Sequence, residues 1–173
     1  MNLFYSKFAL NNLVKNKRFI LPYIFSAIFT IASFYILTSL SLGSNLDKLP
    51  QGISATKQVL GFGVIVIAIF SAIFLFYTYS FLIKRRVREF GLYSVLGMTK
   101  KQIAKILVLE TIFIAVTTIV LGIGLGIIFD KLMLLVLLKL FSAGVSFGFS
   151  ITPIAIVFSV LLFGGIYFLL LLY

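Results

Sequence analysis

The chain has 173 residues, of which 62% are hydrophobic and 11% charged, and its mean hydropathy is +1.22. Soluble domains are about half apolar and a quarter charged, so this composition excludes both an ordinary globular fold and a disordered chain and leaves an integral membrane protein. With 15 Lys and Arg, 4 Asp and Glu, no His and no Cys, the net charge is +11, and transition-metal sites, Cys nucleophiles and Ser-His-Asp triads are all ruled out.

A bilayer core takes about 20 apolar residues per helix. At the start, Lys7, Lys15, Lys17 and Arg18 precede an apolar run that is too long for the h-region of a signal peptide and has no A-x-A site after it, so it reads as an uncleaved first span at about 19–41. Pro22 falls in the first turn of that span, where proline is tolerated. The turn-rich stretch SLGSNLDKLPQG follows, and then an uncharged second span at about 58–83. The third span, at about 106–129, carries Glu110 as its only charge, and Asp130 and Lys131 mark its far end. The Gly- and Ser-rich SAGVSFGFSITP reads as a loop, with a fourth span at 154–173. The expected fold is a single all-α transmembrane domain of four helices with both chain ends on one side.

Charge sets the expected orientation. Eleven basic residues lie before the first span or in the loop 84–105, namely Lys7, Lys15, Lys17, Arg18, Lys84, Arg85, Arg86, Arg88, Lys100, Lys101 and Lys105; Lys48, Lys57, Lys131 and Lys139 lie in the other loops. Basic residues are retained in the cytoplasm, so the N-terminus and the 84–105 loop are expected there. These residues flank spans and do not interleave with aromatics on a soluble face, so the partner they fit is the lipid bilayer and not nucleic acid.

The 84–105 loop is the most informative segment. Ile83, Val87 and Phe90 recur at helical spacing among Lys84, Arg85, Arg86, Arg88 and Glu89, which predicts a helix continuing out of the second span, apolar on one side and basic on the other. Gly91 and Gly97 are expected to interrupt it, and Thr99 to cap a new helix through Lys100 to Lys105. Such an element either lies in the headgroup zone or serves as a handle for a soluble partner. Glu110, about one turn inside the third span, is either an intramembrane functional carboxylate or the partner of a basic residue near the interface, Lys105 or Lys84. Gly122 and Gly126, with Gly124 between them, form a G-x-x-x-G that lets another helix approach closely; no strand precedes it, so it is no nucleotide loop. Tyr23, Tyr77, Tyr79 and Tyr93 fall near the expected interfaces, where amphipathic rings anchor a span.

The run Lys84-Arg85-Arg86-x-Arg88-Glu89-x-Gly91-Leu92-x-x-x-Leu96-Gly97-Met98-Thr99-x-x-x-Ile103 resembles the signature that follows the second span of FtsX-like ABC transporter permeases, and within them the BceB type associated with bacitracin and other antimicrobial peptides. Ala9-Leu10-Asn11-Asn12-Leu13-x-Lys15-Asn16 resembles the polar juxtamembrane helix that opens those permeases. The resemblance covers nearly the whole chain and is most specific in the inner loop. It implies an N-terminal juxtamembrane helix and a cytoplasmic coupling helix between spans two and three, in a bacterial cytoplasmic membrane. It also implies a partner ATPase that binds the ATP, so that no catalytic, cofactor or metal residue belongs to this chain. On that resemblance Arg86, Arg88, Glu89 and Gly91 lie at or near the ATPase contact and Gly97 at the turn, and a sensor histidine kinase is a further partner. Permeases of this type are much longer, with further spans and a large external domain, so the chain is expected to be the N-terminal part of such a protein. Alternatives are another FtsX-like permease, acting in lipoprotein release, macrolide efflux or cell-wall hydrolase activation, and a stand-alone four-span accessory protein.

Overall fold

The computed structural model describes residues 16–43, 53–95, 97–140 and 152–172. They form four α-helices: α1 (Lys17–Leu42), α2 (Ile53–Val95), α3 (Lys100–Leu140) and α4 (Pro153–Leu172). Each is long and apolar enough to cross a bilayer, so the molecule is an all-α, four-span membrane protein. The juxtamembrane segment around Ala9 to Lys15 lies outside the described residues, as do most of the two loops of the opposite end.

The middle helices overrun their expected spans. α2 has 43 residues and α3 has 41, or roughly 60 Å each at the rise of an α-helix, about twice the thickness of a bilayer core. The inner element is therefore helical, but it is the prolongation of α2 and not a separate helix, and Gly91 sits inside it without ending it. A single glycine costs a helix only about 1 kcal/mol, which the neighbouring helix formers absorb. α1 begins earlier than the first span does, at Lys17, so Pro22 stands in its second turn and not its first. Lacking an N–H, Pro22 leaves the Arg18 carbonyl without its helical donor.

α1 is the hub. Its largest interfaces are with α3 and α2, and it also meets α4, whereas α2 and α3, consecutive in the chain, share only a small direct interface. Ala27, Ile31, Phe34 and Tyr35 of α1 are buried against Leu75 of α2, Ile114 and Ile123 of α3, and Phe163 and Ile166 of α4. Phe34 and Phe163 meet edge to face, with ring centroids 5.6 Å apart. The α1–α3 contact depends on Gly122 and Gly126, whose absent side chains make room for α1. A Cβ on Gly122 would lie 2.7 Å from Ile31 Cβ, and one on Gly126 2.8 Å from Tyr35 Cδ1, whereas Gly124 has open space. The close approach that G-x-x-x-G permits thus joins two helices of the same chain.

Several Ser and Thr hydroxyls in this apolar setting are satisfied within their own helices. Thr30, Thr38, Ser71, Thr78 and Ser159 each donate to the carbonyl four residues back. Two tyrosines tie helices together: Tyr79 of α2 to Thr111 of α3 at 2.7 Å, and Tyr167 of α4 to Thr118 of α3 at 2.8 Å. Since Thr111 and Thr118 donate to Leu107 and Ile114, the tyrosines are the donors in these pairs.

Candidate coupling site

α2 and α3 are joined at the basic end of the bundle by a turn of defined geometry. Gly97 has φ +89°, a left-handed conformation in which a side chain would be strained. The Met98 N–H donates to the Tyr93 carbonyl (3.0 Å) and the Gly97 N–H to the Ser94 carbonyl (3.1 Å), the bond pair of a Schellman cap. Two residues later the next helix is capped from the other side. The Thr99 N–H donates to Gln102 Oε1 (2.9 Å), and the Gln102 N–H returns a bond to the Thr99 carbonyl (2.9 Å). Gly97 as turn residue and Thr99 as cap are both where the sequence pattern sets them.

Behind the turn lies a charge cluster. Arg86 is 4% exposed and Glu110 2%. Arg86 Nη1 donates to Glu110 Oε2 and Nη2 to Oε1, the latter at 3.2 Å, a two-pronged pair that links α2 to α3. Arg86 Nε lies 3.4 Å from Glu89 Oε2, which also accepts from Asn16 Nδ2 at 2.9 Å. The chain of contacts therefore runs from the start of α1 through α2 to α3. The Phe90 ring lies 5.5 Å from the guanidinium carbon and closes one side of the cluster.

This arrangement redraws the expected faces of the loop. The buried stripe of α2 runs Ser71, Leu75, Tyr79, Leu82, Arg86, at the three- and four-residue spacing of a packed helix face. Val87, expected on the apolar face, is 56% exposed, whereas Arg86 is inside. Glu110 has Arg86 as its partner across the helix pair, in place of the expected Lys105 or Lys84. The resemblance sets Arg86 at an ATPase contact; the structure places its side chain within the bundle. Glu89 is half-buried and bridges the cluster to Asn16. Gly91 and Gly97 stand at the surface with open space around them, and the side chain of Arg88 lies outside the described residues. The surface of the tip is instead apolar: Leu92 is 64% and Val95 86% exposed, flanked by exposed Lys100, Lys101 and Lys105.

At the opposite end, Asp130 does not close α3, which continues to Leu140. It is buried, with Oδ2 3.7 Å from Lys131 Nζ and Oδ1 without a hydrogen-bond partner among the described residues. On α1, Ser39 donates to Thr152 at 3.1 Å, tying α1 to the start of α4.

The family model of the FtsX-like permease C-terminal domain matches residues 61–173, which include this turn and the Arg86–Glu110 pair. Bacitracin export permease protein BceB of Bacillus subtilis (strain 168) is 29% identical over 167 residues, covering 96% of this chain and 26% of that protein. The uncharacterized ABC transporter permease YvcS of the same organism is 30% identical over 154 residues, covering 88% of this chain and 24% of its own length. BceB of Halalkalibacterium halodurans is 29% identical over 163 residues, or 94% of this chain and 25% of that protein. The chain spans about a quarter of the length of these relatives. Four spanning helices, a doubly capped turn in the segment with the most specific sequence signature, and a family match over most of the chain lead to one assignment: the chain belongs to the FtsX-like permease family of ABC transporters.

Proposed function

We propose that the chain is membrane machinery that receives displacement from a cytoplasmic ATPase through the α2–α3 tip, in a transporter that confers resistance to, or senses, antimicrobial peptides of the bacitracin kind. The observation that carries this reading is the construction of the tip. Two capped helix ends separated by a four-residue connection, backed by a buried Arg–Glu pair, form an element that passes on a push instead of absorbing it. The excess of Lys and Arg at this end supports a cytoplasmic location for it and for the N-terminus. ATP binding and hydrolysis belong to the partner, and this chain contributes no catalytic group. The named relatives support the link to bacitracin. Through the same resemblance, a sensor histidine kinase is a further partner.

Leu92 and Val95 are the apolar anchors for the ATPase, and Lys100 and Lys101 supply a charged rim. The test is a Leu92→Asp/Val95→Asp variant, purified through a tag on this chain from membranes that also contain the ATPase. Normal insertion with loss of the co-purifying ATPase is the expected result, and undiminished co-purification overturns the assignment. Charge reversal at Arg86 is the wrong instrument, because it breaks the pair with Glu110 before it tests any surface.

A further inference from the structure

A second feature of the basic end is a cleft between α1 and α2 with a volume of about 360 Å³. Its walls are Pro22 and Tyr23 of α1 and Phe81 and Leu82 of α2, and its mouth carries Arg18 and Arg85. Arg18 lies just before the apolar span that starts at Ile20, and Arg85 just before the end of the span that closes at Val87. Both cations therefore stand at the same membrane–water boundary, with the apolar walls extending from them toward the bilayer. The Arg85 guanidinium is stacked 4.5 Å from the centroid of the Phe81 ring, which holds it over the mouth. Ser26 and Thr78 also line the cleft, but their hydroxyls donate to their own helices, at 2.9 Å to Tyr23 O and 2.6 Å to Phe74 O. Among the described residues that line the cleft, none is a carboxylate.

Two positive groups above an apolar slot, at the depth of the headgroups, complement one kind of occupant. We infer that the cleft binds an anionic phospholipid, with the phosphate between Arg18 and Arg85 and the upper part of an acyl chain along Pro22, Phe81 and Leu82. A free phosphate would leave the apolar walls unused, and a zwitterionic lipid would bring a third cation to a mouth that already has two. Assignment to the inner leaflet rests on the orientation proposed above. The existence of the site does not, since the arginines and the slot share one end of the bundle in either orientation.

The experiment is native mass spectrometry of the protein captured intact from its membranes in mild detergent and offered phosphatidylglycerol and phosphatidylcholine of matched acyl chains, with and without inorganic phosphate. Each arginine at the membrane surface favours an anionic lipid by about fivefold, so the wild type is expected to retain phosphatidylglycerol with a preference of about 25-fold. Arg18→Gln/Arg85→Gln is expected to bring that preference close to one, while Lys100→Gln/Lys101→Gln, which removes the same charge from exposed positions outside the cleft, keeps it. Equal retention of the two lipids by the wild type overturns the proposal. So does an equal loss of preference in the lysine variant, which would reduce the effect to general surface charge, or displacement of the lipid by millimolar phosphate, which would make the site one for a free anion. The readout is independent of ATPase binding, so failure of the coupling assignment and failure of this one are told apart.

Discussion

Two carboxylates are buried among the described residues of the bundle, and it treats them differently. Glu110, near the basic end, receives both prongs of a guanidinium that also contacts Glu89, and the cluster reaches α1 through Asn16. Asp130, on the same helix toward the other end, has a lysine 3.7 Å from one oxygen and no hydrogen-bond partner among the described residues for the other. A buried ion pair costs desolvation on both sides and is stabilising overall only when its hydrogen bonds are nearly complete. Glu110 meets that condition and Asp130 does not. One end of the molecule is thus tied across three helices at a polar node, while the ties among the described residues at the other include apolar packing and the Ser39–Thr152 bond.

The largest expected effect is at the complete pair. Arg86→Met leaves Glu110 buried without its partner and should cost about 3–5 kcal/mol in an unfolding titration in detergent, with Arg86→Met/Glu110→Leu recovering most of the loss. If the double variant is as unstable as the single one, the pair is not the unit that holds the basic end. Next comes the contact that connects the two ends along α1 and α3. Gly126→Leu drives a side chain into Tyr35 and should cost about 1–3 kcal/mol, whereas Gly124→Leu, facing open space, should leave the unfolding midpoint within error of wild type. Gly97→Ala places a Cβ at φ +89° and should cost about 1–2 kcal/mol, with faster amide exchange at Met98 because the Schellman bonds loosen first. The smallest effect is expected at the incomplete carboxylate: Asp130→Asn keeps the shape, gives up a poorly compensated charge and should change stability by less than about 1 kcal/mol. A loss as large as that of Arg86→Met would erase the contrast between the two ends.

Much of this is legible in the sequence. The four spans follow from uncharged runs, and the turn at Gly97 with its cap at Thr99 follows from residue types that have few other uses in that order. Gly122 and Gly126 announced a close approach, but a one-dimensional pattern does not say which helix approaches. The identity of the Glu110 partner was hidden for a related reason. Lys105 is near it in sequence, whereas Arg86 meets it only once α2 is rotated so that Leu75, Tyr79 and Leu82 face inward. That stripe, extended by four residues, does arrive at Arg86; the competing stripe through Ile83, Val87 and Phe90 was more conspicuous because it is apolar throughout. The hydroxyl bridges Tyr79–Thr111 and Tyr167–Thr118 have no sequence signal, since tyrosine near an interface usually reports anchoring.

The length of α2 and the position of its tie have a mechanical corollary. At the rise of an α-helix, Val95 stands about 14 Å beyond Arg86 and Thr56 about 45 Å behind it. For a stiff rod hinged where the guanidinium grips its neighbour, those arms form a lever of unequal lengths. A stroke of about 2 Å at the short arm would sweep the far end through about 6 Å in the opposite direction. Force is divided by the same ratio, so such a lever favours reach over strength, and paired spin labels at the two ends of α2 against the α1 hub would read both motions at once.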